Sequence, residues 1–179
     1  MTTKTLTHQD LKKFIIDVPD FPKPGIIFKD ITPLLADPAA FAQTIEMLAQ
    51  RLTDTHTDEI LAIESRGFIF GAAVANHLSL PLHLVRKEGK LPRETIGIDY
   101  ALEYGTDRVE LHHDTLSTDR RYAIVDDVIA TGGTAAATVE IVRKQGAELT
   151  CCAFVIELGF LHGRDLLNGC RIESLIEYS

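Results

Sequence analysis

Residues 122–134 read YAIVDDVIATGGT: an apolar run, two adjacent carboxylates, then a Thr-Gly-Gly-Thr turn feeding a helical stretch. Gly132 and Gly133 let the backbone turn sharply and approach a ligand closely. A helix starting near Thr134 would direct its unpaired N–H groups and positive dipole end into the same turn. Thr131 and Thr134 add hydroxyl donors. Such a turn, Ala130 to Thr134, suits a phosphate group, although a Gly-Gly-Thr turn capped by Thr134 also reads as ordinary structure. Asp126 and Asp127 shift the balance. In direct contact with an anion they would repel it, but they fit if a sugar lies between, because ribose hydroxyls donate well to carboxylates. Were C1′ of that sugar the reacting carbon, the same charge would stabilise an oxocarbenium-like transition state, by about 3–4 kcal/mol per group on the analogy of other preorganised sites. The stretch implies a 5-phosphoribosyl ligand, with two solvated acids at a strand end as the alternative. No G-x-x-x-x-G-K-[ST] or G-x-G-x-x-G occurs, which points away from nucleoside triphosphates and dinucleotides.

These groups need a scaffold. Tyr122–Val125 reads as a buried strand, and Ala135–Lys144 as a helix stopped by Gly146. Strand-like Ile60–Ile63, Leu82–Val85 and Leu149–Ile156, with helix-like Phe70–Leu78, complete an alternating order. The pattern predicts an α/β fold with a central, mostly parallel sheet flanked by helices. Glu64, Arg86 and Asp126 then fall at carboxyl ends of strands, where such sheets bind ligands. Between Val85 and Tyr122 lies an insertion. Ile96, Ile98, Tyr100, Leu102 and Tyr104 alternate with polar residues, Gly105 turns the chain, and Val109 and Leu111 alternate again, which predicts a charged β-hairpin projecting from the core. Nearer the start, Thr7-x-x-Asp10 resembles a capping box for a helix over 8–17. Pro19, Pro22, Pro24 and Gly25 break regular structure, and Asp37-Pro38 opens a helix with Phe41, Ile45, Leu48, Ala49 and Leu52 buried.

At 179 residues and 45% hydrophobic, the chain suits one domain, 1–179, with its chemistry in loops. A net charge of -8 argues against nucleic acid or an anionic membrane as partner, and no signal peptide or membrane span is evident. A cytoplasmic protein is expected. Cys151, Cys152 and Cys170 form neither a disulfide framework nor a metal spacing, and neither do His112 and His113 with their neighbours.

IVDDVIATGGT resembles the diphosphate-sugar signature of the type I phosphoribosyltransferases. DFPKPGIIFKDITPLL at 20–35, ESRGFIFG at 64–71, RKEGKLPRETI at 86–96 and YALEYGTD at 100–107 resemble the adenine-specific branch of that family, in order over residues 14–160. The resemblance implies transfer of a 5-phosphoribosyl group from phosphoribosyl pyrophosphate to adenine, giving AMP and pyrophosphate by a homodimer. Magnesium would arrive on the diphosphate, held through substrate and water, with no direct protein ligand assigned. Residues 130–134 become the 5′-phosphate loop, and Asp126 and Asp127 the ribose acids. Ser65 and Arg66 match the pyrophosphate loop, where the family carries a cis peptide before Ser65. Lys87, Lys90 and Arg93 match a mobile hood within about 86–113, although a charge run alone also reads as a solvated face. Glu103 matches the proton acceptor for N7 of adenine, with Tyr104 beside it closing the site. Ile26, Ile27, Phe28 and Lys29, in the N-terminal segment 20–35, match the base cradle. Relatives often carry Arg at the Lys29 position, and Lys cannot reproduce a guanidinium fork. The sugar motif alone would also permit orotate or a 6-oxopurine as the base. A non-catalytic sensor of phosphoribosyl pyrophosphate would need a DNA-binding region, for which the chain has no spare domain.

Overall fold

Thr7 opens the first helix with a capping box, its hydroxyl accepting from the Asp10 N–H while the Asp10 carboxylate accepts from the Thr7 N–H. The computed structural model describes residues 5–101 and 105–179. This helix, α1 (His8–Lys12), stops well short of Asp17. Val18 precedes a proline, which disfavours helical backbone, and the chain extends instead into β1 (Ile16–Pro19), paired antiparallel with β2 (Ile27–Asp30). The Pro-rich connection between them contains a cis Phe21–Pro22 bond and a left-handed Gly25. A short α2 (Thr32–Ala36), with Pro33 in its first turn, was not evident in the sequence. Then α3 (Pro38–Thr53) starts where expected, Asp37 accepting from the Ala39 and Ala40 N–H groups at 3.0 and 2.8 Å.

The remaining elements are β3 (Glu59–Ile63), α4 (Gly67–Leu78), β4 (Leu82–Lys87), the hairpin β5 (Thr95–Ala101) and β6 (Thr106–His112), β7 (Arg121–Ile129), α5 (Gly133–Lys144), β8 (Glu148–Leu158) and β9 (Ile172–Tyr178). They build a seven-stranded sheet in the order β5-β6-β4-β3-β7-β8-β9, parallel from β4 through β9 and antiparallel at β4/β6 and β5/β6. Residues of β7 alternate between two cores. Ala123 and Val125 face Phe70 and Val74 of α4 and Leu48 of α3, while Tyr122 and Ile124 face Val139, Ile141 and Val142 of α5.

The hairpin does not project from the core as its charged face suggested. Val109 and Leu111 are fully buried, α5 lies against both hairpin strands, and β6 extends the main sheet through Arg86↔Glu110 and Lys87↔Val109. Asp99, Arg108 and Glu110 lie on its other face, whereas Asp107, opposite Tyr100, shares the face of Val109.

Chain direction sets the crevice. From β3 the chain crosses through α4 to β4 on one side, and from β7 it crosses through α5 to β8 on the other, so the topology switches between β3 and β7. Pairing of β3 with β7 ends at Ala62↔Val125, whereas β7 continues beside β8 through Asp126↔Phe154 and Ile129↔Glu157. Asp126 and Asp127 therefore lie within β7, not beyond its end, where its edge toward β3 has come open.

Candidate functional site

A cleft of about 270 Å³ occupies that opening, lined by Glu64, Ser65, Arg66, Asp126, Asp127 and residues 128–135. The sequence-predicted acids, the Ser65–Arg66 segment and the 130–134 turn, which are far apart in the chain, thus share one wall.

Two helices begin at this cleft. In α5 the left-handed Gly132 stands at the N-cap and no side chain caps the helix. Thr134, the alternative cap, instead donates its hydroxyl to the Tyr100 hydroxyl at 3.0 Å. In α4 the N-cap is Arg66, again without a side-chain cap. Neither helix has an acidic residue in its first turn. Each therefore turns a positive dipole end toward the cleft that can hold an anion, although in α4 the Phe68 and Ile69 N–H groups already donate to the Ser65 and Arg66 carbonyls. The peptide between Glu64 and Ser65, at the mouth of α4, is cis.

The acid pair stands between the two helix ends. Asp126 is half-buried and its Oδ1 accepts from the Asp127 N–H at 2.8 Å. Gly67 allows this fit: a Cβ there would fall 2.5 Å from Asp126 Oδ1 and 3.1 Å from the Val125 carbonyl oxygen. Asp127 is buried, with Arg66 NH2 2.7 Å from its Oδ2, yet that oxygen has no partner aligned as a hydrogen bond among the described residues. Burial and the neighbouring Asp127 push the Asp126 carboxyl well above the usual range, and burial raises Asp127 against the pull of Arg66. A pair so held favours ligands that bring hydroxyl donors or positive charge.

Arg66 also reaches the N-terminal segment. Its guanidinium lies over the Phe28 ring at 4.8 Å, and NH1 donates to the Lys29 carbonyl at 3.4 Å. The side chain of Lys29 is buried and turned away from this contact. Its Nζ meets Asp17 at 2.6 Å and stacks on Tyr178 at 3.8 Å, tying β2 to β1 and β9. Ile26 and Ile27 are exposed, and the Ile26 N–H is already engaged by the Lys23 carbonyl at 3.2 Å.

The basic residues divide. Lys87 pairs with Asp107 and with the Tyr100 hydroxyl, which donates to Asp107 at 2.8 Å, so one polar knot joins the hairpin to Thr134. Lys90 is brought to the cleft edge by Glu64, 2.6 Å away. Arg93 is not. It pairs with Asp114 on the outer surface. Glu103 and Tyr104 lie outside the described residues. Sequence reasoning missed Gly67, the use of Glu64 as a clamp on Arg86, Lys90 and the Lys87 N–H, and the position of Tyr100 against Gly133. Glu64 carried a signal in its place at the carboxyl end of a strand, and Tyr100 in its alternation within the hairpin.

A family model for the phosphoribosyl transferase domain matches residues 30–164. The chain is 54% identical over 169 residues to the adenine phosphoribosyltransferase of Carboxydothermus hydrogenoformans, covering 94% of this chain and 99% of that protein. The crystal structure of adenine phosphoribosyltransferase from Thermoanaerobacter pseudethanolicus superposes with a TM-score of 0.93 at 48% identity, covering 96% of this chain and 100% of the other. The Saccharomyces cerevisiae adenine phosphoribosyltransferase, complexed with D-2,5-dideoxy-2,5-imino-altritol 1,6-bisphosphate and adenine, has a TM-score of 0.90 at 39% identity, over 94% of this chain and 98% of that one.

Proposed function

This chain belongs to the phosphoribosyl transferase domain family, and on that premise we propose that it transfers the 5-phosphoribosyl group of phosphoribosyl pyrophosphate to adenine, giving AMP and pyrophosphate in purine salvage. One observation carries the reading beyond membership: two uncapped helix N-termini open onto one cleft with an acid pair between them. Two anionic groups separated by a hydroxyl-bearing sugar match that order of charges.

The 5′-phosphate sits on residues 130–134 and the N-terminus of α5. Ribose 2′- and 3′-hydroxyls donate to Asp126 and Asp127, giving the unaligned Asp127 oxygen a partner. The pyrophosphate lies on Ser65 and the α4 N-terminus with Arg66 as a fork, and Lys87 and Lys90 close over it. Adenine rests on Ile26 to Lys29, where the donor to its N1 comes from residues 27–29, since the Ile26 N–H is engaged. Its N9 attacks C1′ with inversion, the bond from C1′ to the pyrophosphate oxygen breaks with its electron pair, and Glu103 takes the N7 proton, with Tyr104 helping to exclude water. The acid pair stabilises the positive charge that develops on the sugar ring.

Among the described residues no group of three or more His, Cys, Asp or Glu side chains could hold a metal. The acid pair, with one oxygen unaligned, fits a magnesium ion arriving on the diphosphate, which Asp126 and Asp127 would help to hold. When bound, that ion supplies charge neutralisation for the leaving pyrophosphate. No helix of the described residues is long and apolar enough to cross a membrane. A cytoplasmic homodimer belongs to the same reading, with the exposed Ile69 and Leu84 available to its interface.

The test is a transfer assay with phosphoribosyl pyrophosphate, magnesium and adenine. AMP and pyrophosphate should appear in equal amounts, and only when all three are present. Binding of phosphoribosyl pyrophosphate without any product would contradict the proposal and favour a sensor.

A further inference from the structure

Gly163 lies in none of the motifs that mark the cleft, yet its backbone presses on the 130–134 turn. A Cβ on Gly163 would fall 2.2 Å from the Ala130 carbonyl oxygen and 2.8 Å from the Gly132 nitrogen. A Cβ on Gly132 would fall 2.3 Å from the Gly163 carbonyl oxygen. All three obstacles are main-chain atoms, which no change of rotamer can move aside.

The segment carrying Gly163 is firmly held. Two short 3-10 turns, Gly159–Leu161 and Gly163–Leu166, follow β8. Arg164 forks onto Glu157 of β8, Nε to Oε1 at 2.8 Å and NH2 to Oε2 at 2.6 Å, and Glu157 is buried. Ser174 of β9 donates to the same Oε2 at 2.6 Å, and Arg164 NH1 donates to the Ile172 carbonyl at 3.2 Å. A buried carboxylate with both oxygens engaged in a fork is a stiff anchor.

The turn it supports has two glycines at its centre. Gly132 and Gly133 have no side chains to fix its shape, and Gly132 adopts φ +83°. A nest of main-chain N–H groups binds an anion only if those groups converge, so the convergence has to be imposed from outside the turn.

We propose that Gly163 is a positioning residue for the phosphate-binding turn: the Arg164–Glu157 fork seats its backbone beneath Ala130–Gly132 and keeps the N–H groups of 131–135 aimed at the 5′-phosphate. This rests on the reading of 130–134 as the phosphate loop. Only one end of the substrate depends on this support. Pyrophosphate, held at Ser65 and α4, does not.

Calorimetry with ribose 5-phosphate and, separately, pyrophosphate with magnesium tests the idea on Gly163→Ala and Arg164→Lys. Both variants should lose ribose 5-phosphate affinity, by about 10- to 100-fold if the equivalent of one hydrogen bond to the charged phosphate is lost. Their pyrophosphate affinity should stay unchanged, and the KM for phosphoribosyl pyrophosphate should rise more than kcat falls. Loss of both affinities together would mean general destabilisation and overturn the proposal. If Gly163→Ala does not fold, a folded Arg164→Lys that keeps wild-type ribose 5-phosphate affinity also overturns it. Amide resonances of 131–135 in the wild-type protein separate the two levels. If ribose 5-phosphate shifts them but the variants bind normally, the positioning role falls alone, and if it leaves them unmoved, the phosphate-loop reading falls with it.

Discussion

Arg66 serves three neighbours at once, the Asp127 carboxylate, the Phe28 ring and the Lys29 carbonyl, and so joins the acid pair to the proposed base segment. Its proposed ligand is the diphosphate, which AMP lacks. Arg66→Ala should therefore weaken phosphoribosyl pyrophosphate by about 10- to 100-fold, the worth of one charge-assisted hydrogen bond, while AMP loses far less. Equal losses by calorimetry would remove Arg66 from the pyrophosphate site. Glu103→Gln keeps the size of the side chain but cannot take a proton, so turnover should fall by about 100- to 10,000-fold with substrate affinity nearly intact. Single-turnover rates equal to wild type would assign the proton to another group. At this scale the sequence was legible where residue types are chemically odd in their setting, such as two acids beside a Gly-Gly turn. It was silent on Gly67 and Gly163, because what those positions require is the absence of a side chain against backbone distant in the chain. Lys29 shows the converse. The resemblance placed it in the base cradle, yet its side chain faces Asp17 and Tyr178.

Among the elements, the hairpin departs most from expectation. Alternation correctly marked Val109 and Leu111 as one face, but whether that face meets a helix or solvent depends on where α5 lies, which no local pattern records. The same limit left β9 without an assignment, an edge strand whose adjacent Leu175 and Ile176 break the alternation. For β7 the apolar run ended at Val125, so the acids read as lying past the strand, whereas pairing with β8 carries it to Ile129. The hairpin is joined to the 130–134 turn through the Tyr100 hydroxyl, which meets Lys87, Asp107 and Thr134. Tyr100→Phe should loosen that joint, raising amide exchange in 95–101 and 106–112 while leaving β3, β7 and β8 protected. Unchanged exchange in the hairpin would mean that apolar packing on α5 alone holds it.

For the molecule as a whole, Glu64 links the cleft to the root of the hairpin. Burial works against its carboxylate, but Lys90, the Lys87 N–H and Arg86 outweigh it and hold its pKa at about 2, below the ordinary 4.5. A folded-state pKa below the unfolded one contributes stability above the unfolded value that is lost as pH falls through the folded one. Between about pH 4.5 and 2 the protein should thus lose on the order of 1 kcal/mol, the shift being discounted for solvent screening, that Glu64→Gln never had. Urea denaturation across this range checks it, and profiles of equal slope would contradict the link. The alternating order of strands and helices was readable from periodicity, but the strand order, and with it the switch point between β3 and β7, emerges only from pairing. The central claim is that this cleft, served by the 26–29 segment, selects adenine as the base. Adenine offers a donor at N6 and an acceptor at N1, and hypoxanthine offers the reverse, leaving two buried main-chain groups facing like partners. The decisive measurement is kcat/KM for each base at saturating phosphoribosyl pyrophosphate and magnesium. A preference for adenine of roughly 30- to 10,000-fold is expected from two unsatisfied groups, and comparable values for adenine and hypoxanthine would contradict the account.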